Sequence, residues 1–390
     1  MASGAALPPK REKKKLGTWT HPLIYGGVRG AAAMTQIAGV DPSIAFMRSL
    51  GGGFAKLGFN AERLERAKRN IGWCFPDWSS DRVERCSVEA YRHLFSLAVE
   101  VAAAPRLIAA DGYAAYVDIG DLSAALRVLL DEGPVILVAG HCGNWELLGA
   151  TLAVLGVPVH ALYRPLDMKP LDEWTRRTRS ARGLILIDKF GAAQRMPQLM
   201  ESDAALAFIA DQNAGDRGLF VPFFDRLASA YKAIAVMAMR YNASVICGQA
   251  IRLTGGTEGR ADVLEDDREA GTPARHFRYR LQVNDIITPA EFREQPDPVF
   301  YITARYRRAI EEMVRAAPEQ YLWMHRYWKS RPKFERERRP FPDRLREKIE
   351  RLPWMTPERV ERMVERSEVD AAEYQEYLEA RRKRRERRGR

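Results

Sequence analysis

Cysteine and long apolar runs are both scarce in this chain. The four cysteines, at positions 74, 86, 142 and 247, are too few and too scattered for a disulfide framework or a CxxC metal site. We therefore expect a reducing compartment. No 18 consecutive residues are apolar, which argues against a membrane-spanning helix. The N-terminal residues contain a basic stretch with no apolar segment after it, so a secretory signal is not expected either.

The nearest approach to a membrane anchor is the segment 21–59. It is rich in alanine and glycine and contains methionine and phenylalanine, but charged residues interrupt it at positions 29, 41, 48 and 56. Such a segment is suited to lying against a membrane surface rather than crossing the bilayer.

An excess of positive charge is absent from the body of the chain. The 390 residues include 62 Lys or Arg and 51 Asp or Glu, a net charge of +11. Residues 10–15 and 381–390 carry +4 and +7, and the remaining 49 basic and 49 acidic residues balance. A nucleic-acid-binding protein would carry its charge on a folded face. No specific nucleic acid partner is therefore expected, and the basic ends suit an anionic membrane surface.

Composition and charge divide the chain into three parts. At 46% hydrophobic residues it is long enough for one large domain or two small ones. We expect a basic, flexible N-terminus over 1–20 and a main domain over 21–332, helical in 21–110 and α/β from about 125. A charged helical extension follows over 333–390, with peripheral helices near 342–352 and 357–386.

Short apolar runs alternate with amphipathic segments from Gly133 onward. The pattern predicts strands at 134–140, 157–164, 184–188 and 204–211, with helices between them. This βαβ alternation indicates the α/β class, with a central sheet that is mixed but largely parallel and is flanked by helices. Further along, the sequence predicts helices at 229–242 and 289–316, strands at 244–253 and 276–284, and an exposed loop at 254–275.

The chemistry is expected where the first of these strands ends. Residues 140–146 read GHCGNWE, and ligands of open α/β sheets bind at the carboxyl ends of strands. The spacing H-x4-E allows the Glu146 carboxylate to reach back to the His141 imidazole and stabilise its protonated form. This pair would suit deprotonation of a substrate hydroxyl. From the spacing alone, a structural histidine beside a solvated glutamate is an equally good interpretation.

Cys142 offers a competing chemistry, in which the thiol is a nucleophile and His141 its base. Adjacent residues at a corner between strand and helix project in different directions, which argues against this pairing. A small buried residue is the preferred interpretation of Cys142.

Five sequence blocks resemble the lipid A late acyltransferases of bacteria, whose relatives acylate phosphatidylinositol mannosides. They occur in the order of that family and cover roughly residues 60–332. The blocks are RAKRNIGWCFPDWS (66–79), GHCGNWELLG (140–149), LYRPLDMKPLDEWTRRTRSARG (162–183), IADQNAGDRGLFVPFFDRLASA (209–230) and PEQYLWMHRYWKSRP (318–332).

The resemblance implies a fold like that of the glycerolipid acyltransferases and an activity. The enzyme would move a fatty acyl group from a thioester, on acyl carrier protein or coenzyme A, to a hydroxyl of a lipid A precursor or similar glycolipid. It implies His141 as general base, with Glu146 orienting it. The oxyanion would be stabilised by the N–H groups near Gly143 and Asn144 and by Arg164. No cofactor is expected, and no metal either, because no Cys/His/Asp cluster has ligand spacing.

The resemblance also suggests where the substrates bind. Asp211 and Gln212 follow another predicted strand, and Asp211 would hold Arg164, contact the acceptor sugar or cap the next turn. Phe220, Phe223 and Phe224 would line the acyl or lipid site, although a place in the core is an equally good interpretation. The block containing Trp323 and His325 is best interpreted as packing of the last part of the core.

Location and alternative functions complete these expectations. The resemblance implies the cytoplasmic face of the inner membrane, with peripheral or weakly anchored attachment, because the hydrophobic anchor is weak here. One alternative is an acyl thioester hydrolase that uses the same pair of residues to activate water. A second is a non-catalytic polyanion-binding protein that acts through its basic tail.

Overall fold

The computed structural model describes residues 20–130, 133–202, 204–253 and 276–386. The basic run 10–15, the predicted loop 254–275 and residues 387–390 lie outside the described residues. In chain order the helices are α1 (His21–Ala38), α2 (Val40–Ala55), α3 (Ala61–Cys74), α4 (Ser80–Leu107), α5 (Ser123–Leu130), α6 (Trp145–Val154), α7 (Lys169–Ser180), α8 (Ala192–Glu201), α9 (Lys232–Tyr241), α10 (Pro289–Arg293), α11 (Pro298–Ala316), α12 (Lys333–Arg336), α13 (Asp343–Glu350) and α14 (Pro357–Glu386). The strands are β1 (Val117–Asp118), β2 (Val135–Ala139), β3 (Val159–Tyr163), β4 (Ile185–Asp188), β5 (Ala205–Ile209), β6 (Leu219–Pro222), β7 (Leu227–Ala230), β8 (Ser244–Arg252) and β9 (Tyr279–Ile287).

The described strands form a seven-stranded sheet in the order β1-β9-β8-β2-β5-β3-β4 and a separate β6-β7 hairpin. The central strands β8, β2, β5, β3 and β4 run parallel, whereas β9 is antiparallel to β8. Connections through α6, α7 and α8 join β2, β3, β4 and β5 in chain order. The predicted α/β class with a mixed, largely parallel sheet is therefore confirmed.

Two helices have different bounds from those predicted. The helix expected over 289–316 is divided into α10 and α11, because Pro298 cannot donate a hydrogen bond and Asp297 caps the second helix by accepting one from the Phe300 N–H. The helix expected over 229–242 begins only at Lys232. The residues before it, 227–230, form β7, the second strand of the hairpin.

The N-terminal helices pack against α4 and leave an apolar face exposed. Two glycines allow this packing: a Cβ on Gly51 would lie 2.7 Å from the Tyr91 carbonyl oxygen of α4, and one on Gly52 would lie 2.7 Å from Arg92 Nε. In the parts of the chain that the structure describes, no helix combines the length and hydrophobicity needed to cross a bilayer. The exposed large apolar side chains of this segment are Leu23, Met34, Ile37, Phe46, Leu50, Leu57 and Phe59.

The C-terminal extension is bound firmly to the main domain rather than peripheral. Asp370 of α14 is fully buried and forms ion pairs at 2.6–2.7 Å with Arg226 of the hairpin, Arg331 and Arg366. The expectation of a peripheral helix was wrong because one buried acidic residue and a few apolar ones suffice to attach it. The buried apolar residues of the extension are Ile349, Leu352, Met355, Val360 and Met363.

Candidate active site

His141 and Asp211 meet at the carboxyl edge of the sheet. Strands β2 and β5 are parallel neighbours in which Ala139 is paired with Ile209. The Ala210 N–H donates to the Ala139 carbonyl, which continues the pairing beyond β5. In each strand the polar residue then lies two positions past the paired residue. His141 Nδ1 lies 2.7 Å from Asp211 Oδ1 as a result.

The charges of this pair fix the imidazole tautomer. Burial alone would raise the pKa of Asp211, but the charge and hydrogen bond of His141, together with the charge of Arg307, hold it below its ordinary value. An ionised carboxylate only accepts hydrogen bonds, so His141 donates its Nδ1–H and leaves a lone pair on Nε2. Burial would lower the pKa of His141, yet Asp211 outweighs this effect and raises it.

Arg307 holds the backbone at Asp211 through a hydrogen bond. Its guanidinium is fully buried, lies 4.0 Å from the centre of the Phe223 ring and donates to the Asp211 carbonyl oxygen at 2.5 Å. The backbone that carries the carboxylate is thus held by a residue of α11, a distant part of the chain.

Glu146 does not contact His141 in the way that the spacing predicts. Its carboxylate accepts two hydrogen bonds from Arg179 of α7, at 2.6 and 2.8 Å, and one from Trp145 Nε1 at 3.2 Å. The Trp145 ring lies against the His141 ring instead, with centroids 4.8 Å apart. The negative charge of Glu146 still helps to raise the pKa of His141, after the larger contribution of Asp211. Asp211 therefore replaces Glu146 as the carboxylate that is bonded to the imidazole.

The backbone N–H groups expected to stabilise an oxyanion are already occupied. The Gly143 N–H donates to the Gln320 carbonyl at 3.0 Å, and the Asn144 N–H donates to the Ala250 carbonyl at 2.9 Å. Gly143 has a φ of +56°, and a Cβ there would lie 2.0 Å from the Ala250 oxygen. The glycine and these two bonds shape the loop that carries His141, and neither N–H points to a substrate.

A buried polar network holds this loop from the side of α4. The Asn144 side chain accepts a hydrogen bond from the Leu147 N–H, which caps α6, and donates to Glu100 at 2.7 Å. Glu100 is fully buried, pairs with Arg252 and accepts a bond from Tyr279.

His93 completes the support by bonding the Gly143 carbonyl through Nε2 at 2.9 Å. Burial, followed by the charge of Arg252, lowers the pKa of His93 to about 3, so its ring is neutral. No local sequence pattern indicates these contacts, because His93 and Gly143 are 50 residues apart.

Two predicted polar residues lie at the same rim. The Gln212 side-chain nitrogen is 3.4 Å from His141 Nε2, directly beside the lone pair. Arg164 follows β3 and its side chain is exposed. Gln212 is thus brought to the imidazole, while Arg164 stands at the edge of the sheet without a direct bond to Asp211 among the described contacts.

An apolar cavity lies between the sheet and helices α5 and α6, and the Trp145 ring stands between it and the His141 ring. It has a volume of about 100 Å³ and is partly open to solvent. Trp145, whose ring contacts the His141 ring, lines it together with Glu146 and Arg179. Apart from Phe208 and Gln282, the rest of the wall is aliphatic or glycine and includes Leu122, Ala125, Leu126, Leu129, Leu137, Leu148, Leu152, Val159, Ala161, Leu162, Ala207, Ile209, Ile246 and Val283.

The phenylalanines that were expected to line a lipid site lie elsewhere. Phe223 and Phe224 are 0% and 6% exposed and pack against Trp328 and Trp323 in the core. Phe220 is half-buried against the same core. These side chains pack in the core next to the hairpin and do not line the cavity.

The thiol alternative is not supported by the geometry. Cys142 is buried, pairs with Tyr321 in an isolated β-bridge, and its burial holds the pKa of the thiol well above the ordinary value. All four cysteines are free. Within the described residues no three His, Cys, Asp or Glu side chains are grouped as metal ligands would be.

The chain is similar to known proteins over most of its length. It is 28% identical over 295 residues to the lipid A biosynthesis palmitoleoyltransferase of Escherichia coli K12, covering 75% of this chain and 86% of the relative. The lipid A biosynthesis acyltransferase of Shigella flexneri matches equally. The lipid A biosynthesis lauroyltransferase of E. coli K12 is 24% identical over 320 residues, covering 80% of this chain and 94% of the relative.

A family model gives the same result. The model described as bacterial lipid A biosynthesis acyltransferase matches residues 12–330 and stops just before α12. The predicted resemblance is therefore confirmed, and the C-terminal extension lies beyond the matched part. Since this match spans well over half of the chain, the protein belongs to the bacterial lipid A biosynthesis acyltransferase family and is an acyltransferase.

Proposed function

We propose that the protein transfers a fatty acyl group from an acyl thioester to a hydroxyl of a lipid A precursor or similar glycolipid, with His141 as general base. The observation that carries this proposal is the His141–Asp211 pair, which leaves a basic Nε2 on an imidazole whose neighbour Trp145 lines an apolar cavity. Family membership and the names of the relatives support the acceptor class.

The proposed reaction has two stages. His141 Nε2 takes the proton of the acceptor hydroxyl while the oxygen attacks the thioester carbonyl, forming a C–O bond and a tetrahedral oxyanion. The oxyanion then collapses, the C–S bond breaks, and the thiolate leaves with the proton that the imidazolium returns. Asp211 stabilises the charged imidazolium between these stages.

The polar residues at the rim would serve the oxyanion and the acceptor. Gln212 is the best-placed side chain, since its amide already lies next to Nε2. Arg164 is exposed at the same carboxyl edge and would reach the oxyanion once substrate is bound. Glu146 contributes negative charge near the imidazole and fixes Arg179 at the cavity entrance.

The acyl chain is proposed to occupy the cavity between the sheet and α5 and α6. Its wall is almost entirely aliphatic, and burial of apolar surface contributes about 25 cal/mol per Å². A chain seated there places its thioester carbonyl next to Trp145 and His141. Acyl carrier protein and coenzyme A thioesters are both proposed as donors, because the reacting thioester carbonyl is the same in each.

Attachment to the cytoplasmic face of the inner membrane is proposed to be peripheral. The exposed apolar residues of α1 and α2 would enter the lipid interface, and the basic ends of the chain would attract anionic head groups. Deletion of residues 1–20 should weaken binding to vesicles that contain anionic lipid, and unchanged binding would contradict this part.

The activity is tested by reacting the purified protein with a phosphorylated lipid A precursor and an acyl thioester of either donor type. Mass spectrometry of the lipid is expected to show an added acyl chain that depends on the acceptor and on the enzyme. Release of free fatty acid at the same rate without acceptor would contradict the proposal and favour a thioester hydrolase. The donor that supports the higher kcat/KM identifies the physiological class.

A further inference from the structure

Four arginines form a group on the surface next to the active site. Arg63, Arg66 and Arg69 recur every three residues on α3. Arg326 lies beside them, in the segment that follows residues 318–320. We call these four residues the α3 arginine cluster. The charges of Arg326, Arg69 and Arg63 all act on Arg66, which shows that the four side chains lie close together.

The cluster is poorly neutralised by the protein itself. Arg66 and Arg326 share a single carboxylate, Glu62, at 2.7 and 3.2 Å. Among the residues that the structure describes, neither Arg63 nor Arg69 forms an ion pair. Burial, and next the charge of Arg326, lower the pKa of Arg66 despite Glu62. An additional anion would therefore be stabilised here.

Four hydrogen bonds connect α3, which carries the cluster, to the catalytic histidine. The Leu322 N–H donates to the His141 carbonyl at 3.2 Å. Asn70, one position after Arg69, donates to the carbonyls of Trp323 and His325 at 2.8 and 3.0 Å. Arg66 itself donates to the Met324 carbonyl at 3.2 Å. The segment 322–326 thus lies between α3 and the reaction centre.

His325 is a second, independent sign of a ligand. Both of its ring nitrogens are buried, and neither has a hydrogen-bond partner among the described residues. Burial lowers the pKa of His325, and the charges of Asp211, His141, Arg66 and Arg326 also act on it, so the ring is close to both the catalytic pair and the arginines. Buried polar atoms normally have partners, and a bound substrate would supply one.

We propose that the α3 arginine cluster, together with His325, binds a phosphate group of the acceptor lipid and positions the acceptor hydroxyl at His141. This inference rests on the proposed function, since it needs an acceptor that reacts at this site. A lipid phosphate fits better than an acidic protein surface, because the exposed Arg63, Arg69 and Arg326 surround an Arg66 that is only 13% exposed and His325 nitrogens that are recessed. Such a site suits a small anion rather than a broad contact.

The test compares a phosphorylated glycolipid acceptor with the same lipid after enzymatic removal of its phosphates. The variant Arg63→Gln/Arg69→Gln is used because neither side chain has an ion pair that folding requires. Its preference for the phosphorylated acceptor, as the ratio of kcat/KM values, is expected to fall about tenfold, mainly through KM. The control Arg346→Gln, on the exposed face of α13, should keep the preference of the unaltered protein.

Inorganic pyrophosphate provides a readout that does not depend on catalysis. It should bind the unaltered protein and the Arg346→Gln control more tightly than the double variant in calorimetry. An unchanged acceptor preference, or a rise in KM for the acyl donor instead, would overturn the inference. If the unaltered protein acylates neither acceptor, the proposed function fails instead, and the two failures are distinguishable.

Discussion

His141 Nδ1 and Asp211 Oδ1 are 2.7 Å apart although 70 residues separate them in the sequence. The contact arises because β2 and β5 are adjacent and parallel. His141 and Asp211 each lie two residues past the paired residues Ala139 and Ile209. This contact gives the imidazole a fixed tautomer with its lone pair on Nε2, next to the Gln212 amide, and the predictions for the reaction follow from it.

Replacement of Asp211 by asparagine should lower kcat by about 100-fold or more, since an amide neither selects the tautomer nor stabilises the imidazolium. The base must be neutral to act, so activity should rise with pH through the raised pKa of His141. Without Asp211, burial dominates and the pKa of His141 falls. The rising limb of the pH–rate profile should therefore move to lower pH in Asp211→Asn. A limb at the same pH or higher would contradict the assignment.

The ion pair of Glu146 and Arg179 should couple the two residues. Both side chains are mostly buried, and their bond is bidentate. A double-mutant cycle of unfolding with Glu146→Gln and Arg179→Met is expected to give a coupling energy of about 1–2 kcal/mol. The pair Arg177–Glu173 on the same α7, which is far more exposed, serves as control and should couple by less than about 0.5 kcal/mol. Equal coupling in both pairs would argue against the structural role of Arg179.

Changes in the cavity wall should alter acyl-chain preference. Leu129→Ala enlarges the cavity and should shift the preference to longer chains, whereas Ala125→Leu fills it and should shift the preference to shorter ones. One buried methylene contributes about 0.8 kcal/mol, so shifts of about 15-fold per two carbons are expected in competition between thioesters. Val236→Ala, an exposed change on α9, is the matched control. Identical chain profiles in all three variants would place the acyl chain elsewhere.

Much of the sheet could be predicted from the sequence, but its strand order could not. The strands from β2 to β5 and their helices follow the alternation of apolar runs, and both His141 and Asp211 are found at strand ends by that pattern. Their pairing depends on β5 lying beside β2 rather than beside β4, which no local pattern shows. The spacing H-x4-E pointed to Glu146 because it is a local signal, and the longer-range contact is the one that forms.

Two other features could not be predicted from the sequence, for similar reasons. The β6-β7 hairpin turns at Phe224 and Asp225, which both have positive φ, and neither is a glycine that would have indicated the turn. The backbone N–H groups at Gly143 and Asn144 were expected to face a substrate. Their true partners, Gln320 and Ala250, are more than 100 residues away.

Glu100 should be essential for stability, because it is fully buried and compensates Arg252 while holding Asn144. Glu100→Ala leaves an uncompensated buried guanidinium and is expected to lower the free energy of unfolding by about 3–5 kcal/mol. Chemical denaturation measures this directly. Glu89→Ala, on the more exposed side of α4, should cost less than about 1 kcal/mol. A loss of similar size in both variants would contradict the role of the network.

The most direct test of the account is acyl transfer to the glycolipid by His141→Ala, followed by mass spectrometry of the product. The variant should retain the folded structure, as judged by circular dichroism and Tm, because His141 is a partly exposed residue at a strand end. Its rate should fall by at least about 100-fold, the contribution of a lost general base. A folded His141→Ala protein that acylates the acceptor at the rate of the unaltered enzyme would contradict the role of His141 as general base.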